Sequence, residues 1–193
     1  MNTPAHLILG MAAMSRPGAP GINVAILAGS LLPDLSLYLM GSYALYVQNI
    51  PPGIVFGQLY FSESWQRVFS IDNSVFVWAG VVLAGFWLRR GWLLALGLAG
   101  LLHLVLDFPL HHDDGRAHFW PLSDWVFSSP ISYWDPNHHG TIVGTLEGLV
   151  CLALSIILFR RFKSVLSRVM ILALAGAEIL PLLAPVLIFG SLF

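Results

Sequence analysis

Charge and cysteine are what this sequence has least of. Only 10 % of its 193 residues are Asp, Glu, Lys or Arg, against roughly a quarter in ordinary soluble domains, so the chain cannot cover a globule with polar surface. The single cysteine, Cys151, sits inside an apolar run; one thiol closes no disulfide and builds no thiolate metal site. Nine Lys and Arg against ten Asp and Glu give a net charge of −1. That leaves no basic face for a phosphate backbone and excludes nucleic acid as a partner. A cationic stretch before the first apolar run is also missing, because the chain opens Met1-Asn2-Thr3-Pro4-Ala5-His6; the segment is expected to belong to the mature protein. No internal repeat or low-complexity tract interrupts the sequence.

What fills the chain is hydrocarbon: 57 % of residues are hydrophobic and the mean hydropathy is +0.78. Apolar runs fall at 7–14, 22–32, 35–47, 75–88, 92–108, 142–159 and 169–193. About 20 apolar residues cross a bilayer core, and a spanning segment must satisfy its own backbone groups, so these runs predict helices. The expected fold is all-α: one integral membrane domain over residues 1–193, with about four full spans formed by the last four runs. The first three runs are short and are punctuated by Arg16-Pro17-Gly18 and Leu32-Pro33-Asp34, which predicts half-spanning or re-entrant N-terminal helices. Irregular backbone at membrane depth is tolerated only where protein or a water-filled cavity covers it, which makes Asp34 a site candidate.

Two polar stretches separate the runs. Residues 48–73 hold Pro51-Pro52-Gly53, several aromatics, Glu63 and Arg67, and read as a loop plus an interfacial amphipathic segment. Residues 111–140 hold five of the seven His and four Asp. Their Trp120, Trp125, Tyr133 and Trp134 suit the boundary between membrane and water. Arg16, Arg89, Arg90, Arg160, Arg161, Lys163 and Arg168 fall in turns that an alternating topology puts on one face. By the positive-inside rule that face is cytoplasmic, the His-rich loop faces the other way, and His6 and Asp34 come near the same outer face.

His103, Asp107 and His111 are spaced by four residues, so they share one helix face if the helix reaches His111 past Pro109. An imidazole nitrogen and a carboxylate oxygen so placed reach one cation, and such ligands suit zinc, manganese or iron(II). An Asp–His hydrogen bond packing two helices is the competing reading. His112, Asp113 and His118 are further bases or proton carriers, and Arg116 offers a planar fork for a phosphate or a carboxylate. Asp124 and Asp135 could orient ligating imidazoles, and Asn137 could cap the helix that follows. Glu147 and Glu178 lie inside apolar runs. Glu147 is a candidate ligand or general base, and Glu178 a candidate interhelical hydrogen bond.

Thr3-Pro4-Ala5-His6, Gly29-Ser30-Leu31-Leu32-Pro33-Asp34, His103-Leu104-Val105-Leu106-Asp107 and Trp120-Pro121-Leu122-Ser123 follow in that order. Together they resemble the bacterial inner-membrane family described as membrane-bound metal-dependent hydrolases, loosely related to zinc-dependent phospholipase C. The resemblance implies that His6, Asp34, His103 and Asp107 bind metal. The chain departs from the family where a second acid would follow Pro33-Asp34, having Ser36 there. In place of a central His-rich motif it has Gln66-Arg67 and Asp72-Asn73-Ser74, so part of that motif is missing. Asp72 or a His of the 111–139 loop would have to substitute.

The leading expectation is therefore a metal-dependent hydrolase acting on a lipid or lipid-linked ester or phosphoester at the bilayer edge. Its metal ligands would be His6, Asp34, His103, Asp107 and His111, and its catalytic groups His112, Asp113, His118 and Glu147. Its partners are membrane lipids and an amphiphilic substrate. One rival is a divalent-cation transporter or metal sensor, with Glu147 and Glu178 lining a path. The other is a non-catalytic helical scaffold.

Overall fold

A computed structural model describes residues 1–189, with side chains as far as Leu180. The described residues form helices and loops without a strand. Helix α1 spans Thr3–Met14 and carries a Pro in its first turn, where no N–H is needed. At 12 residues and 1.5 Å per residue it reaches about 18 Å, too short to cross a core of about 30 Å. Gly18, with φ +81°, turns the chain into α2, Pro20–Ser42, which runs on through a π-helical turn, Tyr43–Val47.

The expected break at Leu32-Pro33-Asp34 is absent, because Pro33 lies inside α2 and is buried there. Proline withholds one helical hydrogen bond, the one its own N–H would make to the Gly29 carbonyl, and α2 runs on without it. The Asn73 side-chain amide donates to a different group, the Pro33 carbonyl, at 3.1 Å. One turn earlier, a Cβ built on Gly29 would stand 2.2 Å from the Leu96 carbonyl, so only glycine allows α2 to lie this close to its neighbour.

Helix α3, Glu63–Asp72, and α4, Val75–Trp87, are separated by Asn73-Ser74. The Ser74 hydroxyl caps α4 by accepting from the Phe76 and Val77 amides, as N-caps do. Helix α3 is the amphipathic segment expected in 48–73, and its Arg67–Glu63 pair at 3.1 Å is largely exposed. Helix α5, Gly91–Asp107, ends in a 3₁₀ turn, Phe108–Leu110. Helix α6, Gly140–Arg161, follows the loop, and α7 is Val165–Phe189. The expected run 169–193 is thus helical through Phe189, its last four residues lying outside those described. Asn137 does not cap α6, which has no side-chain cap; Asp135 caps the short turn Pro136–His138 instead.

Among the described residues, four helical stretches are long and apolar enough to cross a membrane: Pro20–Val47, Glu63–Trp87, Gly91–Leu110 and Gly140–Arg161. A multi-pass membrane protein needs such spans. In the bundle α2 and α4 pack on α5, while α1 lies at the centre against α2, α5, α6 and α7. Arg161 donates to the Met11, Ala12 and Ser15 carbonyls. The α4–α5 turn with Arg89 and Arg90 adjoins the start of α2. The turn cations therefore share one end, and the 111–139 loop lies at the other, tied to the top of α4 where Val75 N–H meets the His118 carbonyl at 2.9 Å.

Candidate metal centre

His6, His103 and Asp107 are all buried and offer donor atoms within 4.8 Å of one another. The α-helical period puts His103 and Asp107 on one face of α5. The central position of α1 brings His6 against them, its ring stacked on His103 with centroids 3.6 Å apart and planes 11° from parallel. Two imidazolium rings would repel at that distance, so at most one of the pair carries charge.

Each ligand candidate is held by a partner of its own. His103 Nδ1 lies 2.8 Å from the Ser30 carbonyl. A carbonyl only accepts, so Nδ1 carries the proton and Nε2 of the neutral ring bears the lone pair. That Nε2 stands 3.3 Å from Asp107 Oδ2 and 3.6 Å from Asp34 Oδ1, yet is buried without a hydrogen-bond partner. His111 Nε2 is likewise 3.3 Å from Asp107 Oδ2 and unpartnered. Its Nδ1 is 2.9 Å from Asp114 Oδ1, close enough for an ion pair but without hydrogen-bond geometry. Asp34 accepts from the Thr3 hydroxyl at 2.5 Å, and Thr3 in turn accepts from Tyr38 at 2.9 Å. The other Asp107 oxygen, Oδ1, meets His6 Nε2 at 2.8 Å and the Met1 amine at 2.5 Å.

The spacing matches the chemistry of a shared cation. Ligands at 2.0–2.1 Å from a tetrahedral ion stand about 3.3 Å apart, and carboxylate or carbonyl partners behind metal-bound imidazoles are the usual support. Burial works against a charged His111, but Asp107 and Asp114 raise its pKa above the ordinary value. Burial also works against the Asp114 carboxylate, yet His111 and Trp134 hold it below its usual range.

Asp34, Asp107, His111 and Asp113 open onto a cavity of 380 Å³ that Tyr60, Arg116, Tyr133 and Trp134 also line, a size that suits a small-molecule group. A second cavity, 590 Å³, lies between α3 and the loop and contains Glu63, Arg67 and Asp124. It is larger but has no imidazole, so the chemistry singles out the smaller one.

The structure thus brings together His6, Asp34, His103, Asp107 and His111, although α5 does not continue to His111: the 3₁₀ turn delivers it instead. Of the expected catalytic groups only Asp113 reaches the cavity. His112 turns to the Ser129 carbonyl at 2.6 Å and stacks on His138. His118 turns to the Asn73 carbonyl at 2.9 Å, and burial lowers its pKa. Glu147 accepts from the Asn2 amide at 2.8 Å, and the Asn2 side chain reaches Glu178 at 3.4 Å; neither acid lines the cavity. Asp135 pairs with His138 at 2.6 Å. Asp72 is not among the clustered residues. Sequence reasoning missed Thr3, Ser30 and Tyr60. Thr3 and Ser30 lie within the recognised motifs, whereas nothing around Tyr60 marked it.

No family model, curated protein or solved structure matches the chain. The functional reading stands on the geometry.

Proposed function

We propose that this chain is a membrane-embedded, metal-dependent hydrolase acting on a lipid or lipid-linked ester or phosphoester at the bilayer edge. One observation carries the reading: His103 Nε2 and His111 Nε2, both buried and without hydrogen-bond partners, stand 3.3 Å from the same oxygen of Asp107. Two buried imidazole nitrogens converging on one carboxylate oxygen make a ready seat for a cation. The order of the sequence motifs, which resembles the membrane-bound metal-dependent hydrolases, agrees with this.

His103, His111, Asp107 and Asp34 would hold the ion, with His6 completing the set. Three imidazoles with carboxylates suit zinc first, and manganese or iron(II) next. A cation bound there would polarise a phosphoryl or acyl oxygen and acidify bound water. The chain's own groups supply the rest. Ser30 orients the His103 imidazole, Asp114 stands beside that of His111, Thr3 orients Asp34, and Tyr133 and Trp134 line the cavity. Asp113, exposed and beside the cluster, is placed to take a proton from the attacking water.

A cation conduit would require polar groups through the full depth of the membrane. Between Gly148 and Arg160, α6 offers only Ser155 and Cys151, while the ligands gather at one end, as hydrolysis at an interface requires. With the turn cations on the cytoplasmic side of an inner membrane, the site faces the opposite compartment.

Elemental analysis of detergent-purified protein tests this, beside a His103→Ala/Asp107→Ala variant checked by circular dichroism and monodispersity. Near-stoichiometric zinc, manganese or iron that disappears in the folded variant is the expected result. A well-folded wild type that stays metal-free after metal-replete purification would reject the hydrolase.

A further inference from the structure

Arg116 lines the same cavity and is only 9 % exposed. Its guanidinium carbon lies 4.7 Å from the Tyr60 ring centroid and 4.5 Å from that of Phe69, so two aromatic faces fix its plane. Nη1 donates to the Tyr60 hydroxyl and, at 3.1 Å, to the Asp114 carbonyl. Tyr60 donates to that same carbonyl at 3.0 Å. Burial pushes the Tyr60 phenol up to about 12, so it stays neutral.

None of these partners is an anion. Among the described residues no carboxylate stands within ion-pair distance of the guanidinium. The nearest acid in sequence, Asp114, is occupied elsewhere: Oδ1 faces His111 at 2.9 Å and Oδ2 accepts from the Trp134 indole at 3.1 Å. Nε and Nη2 make no hydrogen bond to the described residues. A buried cation without a counter-ion is costly, and a rigid fork with free donors beside a cavity is built to receive two oxygens of one anion.

We infer that Arg116 holds the anionic group of the substrate, and that this group is a phosphoryl, so the substrate is a phosphoester and not a carboxylic ester. Under the hydrolase reading, on which the reaction part of this inference rests, the reacting group must reach the metal centre in the same cavity. A neutral carboxylic ester offers Arg116 another carbonyl but no counter-charge, whereas a phosphoester would present charged non-bridging oxygens to the guanidinium while its phosphorus faces the ligand cluster. Hydrolysis forms a P–O bond from water and breaks the P–O bond to the alcohol, which leaves with a proton. Leu37, Phe56 and Phe61 line the cavity as well, and both phenylalanines are about half exposed, an apolar flank for the substrate's hydrocarbon.

The test measures binding in EDTA, so that neither metal nor turnover contributes. Wild type, Arg116→Gln and Arg116→Lys are titrated with dioleoyl phosphatidic acid and with dioleoylglycerol in detergent, and inorganic phosphate is used as a competitor. Wild type should prefer the phosphatidic acid. Arg116→Gln should bind it about tenfold or more weakly, with its affinity for the neutral diacylglycerol unchanged, a pattern that general misfolding does not produce. Arg116→Lys keeps the charge but not the fork, should fall between the two, and decides the matter if Arg116→Gln does not fold. Competition by inorganic phosphate would make the isolated phosphoryl sufficient, and phosphatidic acid binding without such competition would restrict the site to lipid-borne phosphate; both support the inference. Equal affinity of wild type for the two lipids, or of folded wild type and variants for phosphatidic acid, overturns it. Arg116-dependent binding by a protein that elemental analysis finds metal-free as purified would reject the hydrolase and keep the anion site. A protein that purifies with metal yet shows no Arg116 dependence in EDTA would do the reverse.

Discussion

The Ser30 carbonyl and the His103 ring meet at 2.8 Å across the α2–α5 interface, and this single hydrogen bond decides which face of the imidazole is available as a ligand. With the proton fixed on Nδ1, Nε2 is left to the carboxylates of Asp107 and Asp34. Replacing His103 by Ala removes the donor atom and the hydrogen bond between α2 and α5. The expected result is loss of metal together with destabilisation of about 0.5–1.5 kcal/mol from the lost hydrogen bond, read by thermal unfolding in detergent.

Asp114 touches the cluster only through His111. Asp114→Asn should therefore keep the fold and the ligands while weakening metal binding by about 10–100-fold, the usual effect of losing the group behind a ligating imidazole. Competition with a chromophoric chelator measures it, and an unchanged affinity would show that Asp114 does not support His111. Thr3→Val should act in the same direction through Asp34.

Gly29 tests the packing that assembles the site. A methyl group there would stand 2.2 Å from the Leu96 carbonyl, and backbone cannot step aside as a flexible side chain can. Gly29→Ala should destabilise the protein by at least about 1–3 kcal/mol. It should also reduce metal binding, because moving α2 from α5 separates Asp34 from His103. The melting temperature and metal content of the same sample give both readings.

The proximity of His6 to His103, at 3.6 Å between ring centroids, bears on pH. Ligating imidazoles must be neutral, and a free histidine titrates near about 6.5. Protons thus compete with metal as pH falls, and affinity should be higher at pH 7.5 than at pH 5.5. Calorimetric titration of the metal-stripped protein at the two pH values measures this; equal affinities would argue against imidazole ligation.

Outside the candidate cavity, the Glu63–Arg67 pair is exposed on α3. Arg67→Ala should change stability by less than about 0.5 kcal/mol and leave metal content unchanged, which makes it a control for the variants above.

Much of this was legible in the sequence, because some of the physics is local. The scarcity of charge and the length of the apolar runs predict helices long and apolar enough to cross a membrane. The four-residue spacing of His103 and Asp107 dictates a common face, whereas His111 reaches them only through the 3₁₀ turn that follows Asp107. The same local reasoning misread Pro33, where a missing N–H suggested a break, because α2, packed closely on α5 at Gly29, runs on through it. It also left His112, His118 and Glu147 as equals of Asp113, because composition records how many polar groups a segment has and not which way each one turns.

The sequence by itself determined the fold class, the end of the bundle where the His and Asp candidates gather, and the ligand candidates on α5, and its motifs named His6 and Asp34 beside them. Only the tertiary structure brought His6 and Asp34 to His103, set the His103 tautomer through Ser30, and placed Arg116 at the cavity without a carboxylate partner among the described residues. Spacing along one helix follows from a fixed period, but proximity between residues 6, 34 and 103 depends on how closely three helices approach. That approach is set by side-chain volume at contacts such as Gly29 with Leu96, which no periodic pattern encodes.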